Sequence, residues 1–319
     1  ISNTLLGSLA GDALTDADSN IAIGINSLTT DTLGSRSVAI GQDALASQNF
    51  TTATFSLNVA VGYGAGGAVT TGRRNTLIGA QAGDVITDAD NNVAVGTDAL
   101  GTNQLGSQNI AIGRLALGTM NPATATNTYN TAVGADAGFA ITTGVHNTLI
   151  GGLAGDALTT AGNNVAIGYQ AHSTDDLGSR NVSVGTEALS DMNFATATDS
   201  YNVAVGDQAG KRVTTGIYNT LVGGGAGDAL TDADNNVAIG FAALSSDTLG
   251  SGSIAIGKDA LFDQNFTTAT TAYNVAIGQS AGANVTTGFR NEFIGGLAGL
   301  SNTTGDNNVA IGLSSLEAN

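Results

Sequence analysis

The sequence repeats every 72 residues without gaps: segments beginning at Asn3, Asn75, Asn147, Asn219 and Asn291 align, the last ending at Asn319. A fixed period of this kind marks a chain of stacked supersecondary units, and it overrides any division into ordinary domains. Each period divides again into rungs of 17, 17, 21 and 17 residues, which in the first period start at Asn3, Asn20, Ser37 and Asn58. Eighteen rung starts can be placed, and all are Asn except Ser37 and Ser253. Every start is followed three positions later by Ile, Val or Leu, four later by Gly and seven later by Ala or Ser. The eighth position is Leu or Gly, with His172 as the one exception.

These rules describe a short strand closed by a turn. Asn20-Ile21-Ala22-Ile23-Gly24 places β-branched residues ahead of a turn former. Asn tolerates a turn conformation, and on stacked rungs it would lie over the next Asn as an amide ladder. Small Ala at the seventh position suits a narrow interior. The whole chain, 1–319, therefore reads as a single repetitive all-β solenoid, a piece of a longer fibre. At about 4.8 Å per rung it would be a rod roughly 85 Å long.

Side chains alternate along a strand, so Ile21 and Ile23 point one way and Ala22 the other. Both faces are apolar, so both call for burial. One fills the coil; the other needs a second surface, which means more than one chain. In the first rung of each period the alternate residue is larger: Leu5, Leu77, Leu149, Leu221 and Phe293. These five are expected to face outward and form the core of the assembly.

Composition removes other classes. Gly is abundant at 46 residues but does not recur every third position, so collagen is excluded. A 42% share of hydrophobic residues is too apolar for a disordered coil. The net charge of -17, with nine basic residues, argues against nucleic acid. There is no Cys to support a disulfide framework. No run of 18 apolar residues offers a membrane span.

Asn20-Ile21-Ala22-Ile23-Gly24, Ser37-Val38-Ala39-Ile40-Gly41 and Ser253-Ile254-Ala255-Ile256-Gly257 resemble the head repeat of YadA-like trimeric autotransporter adhesins. The resemblance covers every rung and implies a left-handed parallel β-roll, a homotrimer around one axis, and adhesion to a host-cell glycan or protein. Asn147-Thr148-Leu149-Ile150-Gly151 and Val213-Thr214-Thr215-Gly216 are also similar to repeats in tail-fibre proteins of marine bacteriophages. The rungs are longer than the typical adhesin-head rung, which favours the viral relative. An extracellular setting, on a virion tail fibre or a bacterial surface, follows from either resemblance.

Few constellations suggest chemistry. Asp16-x-Asp18, Asp88-x-Asp90 and Asp232-x-Asp234 alternate oxygen ligands like the opening of a Ca²⁺ loop, but they lack its Gly and distal Glu. An Asp/Asn-rich turn is the plainer reading, with no cofactor. Equivalent acids four rungs apart would be about 19 Å apart, too far for a glycosidase pair, so no enzyme is expected. His146 and His172 lack ligand neighbours at metal spacing and read as structural. Gly223-Gly224-Gly225 lacks the Lys and helix of a phosphate loop. Thr-Thr-Gly recurs too sparsely to make an ice-binding array. The longer rung carries extra residues at Asn49–Phe55, with counterparts from Asn121, Asn193 and Asn265. Phe50, Thr52, Phe55, Tyr129, Phe194, Tyr201, Phe266 and Tyr273 on or after these loops are candidate receptor contacts, against the alternative that the Phe side chains simply pack.

Overall fold

The computed structural model describes residues 2–317, which form two compact units that divide between Gly162 and Asn163. Each unit is a parallel β-solenoid, with no helix among the described residues. In the first unit nine three-residue strands run from Thr4–Leu6 to Thr148–Ile150; in the second nine run from Val165–Ile167 to Val309–Ile311. Within a unit each strand pairs in parallel with the equivalent strand of the next turn, residue on residue: Val165 with Val182, Ala166 with Ser183, Ile167 with Val184. The 21-residue rung adds a two-residue strand, so Gly34–Ser35 pairs with Thr54–Phe55, and Gly178–Ser179 with Thr198–Asp199.

Away from the two terminal turns the Asn of each rung start is buried, and Asn75 shows how it bonds in both directions. Asn75 accepts the backbone N–H of Asn92 on Oδ1 at 2.9 Å and donates Nδ2 to the carbonyl of Ala89 at 2.8 Å. The expected amide ladder therefore exists, and it satisfies backbone groups that the three-residue strands leave over. Corners cost left-handed residues. Gln170, His172 and Arg180 all have φ between 53° and 65°, and equivalent residues in other rungs repeat this. Such conformations cost about 1 kcal/mol each outside Gly and persist only where neighbours fix them.

The Gly four positions after a start is required by close approach wherever another turn follows; Gly312, in the last turn, meets nothing within 4 Å. A Cβ on Gly168 would stand 2.3 Å from the carbonyl oxygen of Gly185 in the next turn, and φ there is +141°. No other residue type meets both conditions.

The interior reverses one expectation. The middle residue of each strand points inward: Ala22, Ala94, Ala166 and Ala238 are fully buried, while their Val and Ile neighbours are only part-buried or exposed. Leu77, Leu149, Leu221 and Phe293 are likewise fully buried inside their own coil and cannot be the core of an assembly. Leu5 is 46% exposed because it occupies the first strand and has no turn beneath it. Room for the large residues comes from the eighth position. Pairs of rungs with Leu at the eighth position (His172 once) alternate with pairs that put Gly there. A Cβ on Gly66 or Gly83 would meet Leu77 at 2.6 or 2.8 Å, and one on Gly282 or Gly299 would meet Phe293 at 2.8 or 2.5 Å. One large first-rung side chain thus fills the space left by its own Gly and by the Gly of the rung before it.

Candidate functional site

Three kinds of surface stand out, and each rests on how a column of equivalent residues is built. The first is the outer face of the three-residue strands. Ile78, Ile110, Ile112, Ile150, Ile239, Ile277 and Ile294 are between 37% and 39% exposed in the single chain, with part-buried Val or Thr between them. Taking about 50 Å² per residue, two residues on each of nine strands leave roughly 900 Å² of mostly apolar surface on one unit, against a few hundred Å² on ordinary soluble monomers. This face takes the place of the five residues expected to point outward.

The second surface is the loop of the 21-residue rung. Phe50, Phe194 and Phe266 are buried, only 6%, 5% and 6% exposed. The Phe residues pack against Gly34, Gly178 and Gly250, where a Cβ would collide with their rings. A buried carboxylate anchors each loop by accepting the Phe backbone N–H: Asp31 for Phe50 at 3.2 Å, Asp175 for Phe194 at 3.3 Å, Asp247 for Phe266 at 3.0 Å. The three Phe therefore leave the list of receptor contacts, because the loop needs them as its own anchor. Thr52 is exposed at the tip, where Thr54 Oγ1 donates to its carbonyl.

Phe55, Tyr129, Tyr201 and Tyr273 remain as exposed aromatics, at 59%, 47%, 45% and 59%. The three Tyr stand one residue before a rung start, in a column of left-handed residues, and Phe55 lies beside it. This column stacks. Tyr129 lies over His146 with ring centres 5.6 Å apart, and Tyr201 over Tyr218 at 5.7 Å. The Arg36 guanidinium sits 3.9 Å from the centre of Phe55, and that of Arg180 lies 5.6 Å from Tyr201 while Nε reaches Asp199 at 2.9 Å. His146 is thus a stacking partner at the surface, a role its sequence position did not reveal.

The third surface is acidic, and each of its carboxylates gives one oxygen to the fold. Asp90 and Asp234 accept the backbone N–H of Arg73 and Ile217 from the neighbouring turn, at 2.7 and 2.8 Å. Asp88 and Asp232 accept the hydroxyls of Thr71 and Thr215. Asp16 and Asp18 hold the corresponding places in the first period. Among the described residues no cluster of three or more His, Cys, Asp or Glu is arranged to hold a metal ion. Thr70 and Thr142 likewise donate their hydroxyls to the carbonyls of Thr87 and Thr159 in the neighbouring turn, at 3.1 and 3.3 Å.

Sequence reasoning missed a buried polar module eleven positions into the second and third rungs of each period. Asp31 and Asp247 each receive a hydrogen bond from the amide of Gln48 or Gln264 in the next turn. Those are the two periods where the rung start is Ser: the Ser hydroxyls meet the Gln amides, and Gln48 takes Asn58 Nδ2 at 2.8 Å, as Gln264 takes Asn274. In the second period Asn103 satisfies itself against both backbone groups of Gly106, and Met120 stands in place of Gln. The third period keeps the acid, Asp175, beside Met192; its donor is His172, whose Nε2 lies 2.9 Å from Asp175 Oδ2. Both side chains are fully buried. Burial would raise the Asp175 carboxyl, but the His172 hydrogen bond and charge, with two backbone N–H bonds, hold it below its ordinary value. Asp247, with a neutral Gln donor, is raised, burial being the main cause. The clue in the sequence was that Ser37 goes with Gln48, Ser253 with Gln264, and His172 with a Met where Gln would serve.

No helix among the described residues is long and apolar enough to cross a membrane. No known family model matches the chain, and no characterised protein matches it in sequence.

Proposed function

We propose that the chain is a structural and adhesive fibre segment, assembled from three copies and belonging to a bacteriophage tail fibre that attaches to a host surface. The observation that carries this is the outer Val/Ile face. Roughly 900 Å² of it per unit is the area one partner contributes to a stable protein interface. At about 25 cal/mol per Å² its burial would outweigh the cost of association. The number three rests on the resemblance to trimeric adhesin heads, and a cyclic trimer leaves no copy of the face uncovered.

Attachment is the work proposed for the exposed column and loop tips: Thr52, Phe55, Tyr129, Tyr201 and Tyr273. Each period presents a similar set, so binding to a repeated glycan or protein would gain by multivalency. Sharing of side-chain donors and acceptors between turns supports a scaffold and gives no support to catalysis. The Ser-Val-Ala-Ile-Gly strands support a second reading, the head of a bacterial trimeric autotransporter adhesin.

Sedimentation equilibrium at micromolar concentration tests the assembly. A trimer is expected, with a folded monomer after Ile110→Lys together with Ile150→Lys; a wild-type monomer would end the argument from the outer face. A glycan array probed with the intact chain tests attachment. Binding lost on changing Tyr129, Tyr201 and Tyr273 to Ala supports an adhesive flank, and an array without signal would reduce the segment to a spacer.

A further inference from the structure

The stacked column has one gap. Its members directly before the start of the long rung are Arg36, Gln108, Arg180 and Gly252, one per period. The first three hold φ at 65°, and Gly252 has φ +72°, so the backbone is the same while the side chain is missing. A cavity of about 350 Å³ occupies the place, lined by Asp234, Asn235, Ser251, Gly252, Thr271 and Tyr273.

The protein's own repeats show what fits there. In the third period the guanidinium of Arg180 lies over Tyr201, the counterpart of Tyr273; in the first, Arg36 covers Phe55, a ring on the same loop at the place of Thr271. In the fourth period Tyr273 provides the ring, 59% exposed, and Gly252 provides no cation to cover it. The other wall repeats the argument independently. Asp90, the second-period counterpart of Asp234, takes the Arg73 guanidinium on Oδ2 at 3.5 Å. Ile217, at the end of the third period, stands where Arg73 does, and Asp234 spends Oδ1 on the Ile217 backbone N–H. A ring face and a carboxylate oxygen, each matched by an arginine elsewhere in the chain, thus border one notch without one.

We propose that the Gly252 notch is a binding site for a guanidinium, the arginine side chain of a partner polypeptide, stacked on Tyr273 and paired with Asp234. A planar, weakly hydrated cation suits a flat ring beside a carboxylate; an ammonium, compact and strongly hydrated, suits it less. The chain's net charge of -17 would draw such a basic segment in. The site does not depend on the proposed attachment role.

The test is a nuclear magnetic resonance titration of the intact chain with N-acetyl-arginine-N-methylamide, read at the Gly252 amide and the Tyr273 ring. Saturable shifts are expected, with Kd on the order of 1–10 mM for so small a probe. The lysine analogue should bind about tenfold more weakly, and Tyr273→Ala should lose about tenfold. Gly252→Arg fills the notch with the side chain that Arg36 and Arg180 already place on this backbone, so it should fold normally and abolish the shifts. Absence of saturation, equal response to lysine and arginine, or undiminished shifts in Gly252→Arg would each overturn the proposal. So would a neutral sugar, such as glucose, shifting the same signals more strongly than the guanidinium.

Discussion

Replacing His172 by Leu should damage the protein, and replacing Asp175 by Asn in addition should repair it. Leu is the residue of the other three periods at this place, and Leu28, Leu100 and Leu244 are all fully buried there. Shape is therefore no obstacle. The cost comes from Asp175 Oδ2, which loses its 2.9 Å bond to His172 while Met192 offers no donor in the position of Gln48 or Gln264. A fully buried carboxylate left short of a partner should cost about 2–4 kcal/mol. His172→Leu with Asp175→Asn recreates the second-period set of Leu100, Asn103 and Met120. There the amide bonds to the N–H and carbonyl of Gly106, at 2.8 and 2.7 Å. The double variant should lie within about 0.5 kcal/mol of wild type, so the two changes should couple by about 2 kcal/mol or more. Guanidinium unfolding measures the cycle. Amide exchange at Gly178 and Phe194, whose N–H groups Asp175 accepts, reports the site itself. The pH dependence has a definite sign. Without His172 nothing opposes burial strongly enough to keep the carboxyl low, so its folded pKa rises above the unfolded one and acid relieves the strain. The deficit of His172→Leu should therefore shrink as pH falls through the carboxylate range. Additive single effects, or a deficit unchanged by pH, would refute this account of the pair.

Gly168→Ala should destabilise by about 2–4 kcal/mol, because the added carbon strikes the Gly185 carbonyl. Gly312→Ala, with nothing within 4 Å and φ +119°, should cost only the conformational part, about 1 kcal/mol; equal losses in unfolding experiments would show that close approach is irrelevant. Leu149→Asp should unfold turns locally, seen as lost amide protection, instead of releasing intact monomers. Mild acid should not melt the protein. Burial raises the carboxyls of Asp84, Asp156, Asp228 and Asp247, so protonating them favours the fold, whereas the lowered Asp175 loses its contribution only as pH falls below the ordinary carboxylate range. Circular dichroism showing a loss of structure between pH 6 and about 4.5 would contradict that balance.

The period, the strands, the Asn ladder and the crowded Gly were legible because each demands one residue type at one spacing. Direction was not. Ala22 and Ile21 are both apolar, so alternation says that the faces differ without saying which one is inside. The size of Leu149 suggested an outward contact, yet Gly138 and Gly155 had already left room for it within the coil. Volume had to be counted across neighbouring turns, and a single rung does not show it. The same limit hid the polar module: Asp175 gains meaning only beside His172 and Met192, from two different rungs. Of the proposed contacts, Phe50 and Tyr129 looked alike as loop aromatics. What separates them is Gly34, a residue with no side chain, which opens the slot that Phe50 fills.

The exchange of Leu and Gly across the interior has a genetic corollary. The fourth rung of one period presents a half-empty slot, as at Gly66, and only the Leu-bearing first rung of the next can occupy it. Recombination between repeats that adds or removes 72 residues joins matching surfaces at any point of crossover. An exchange out of phase by one rung sets Gly rungs beside inward Ala and leaves a void, or sets Leu against Leu and forces a clash. Selection would then see lengths only in whole periods. A lineage of such chains should differ in period number far more readily than in the count of rungs within one.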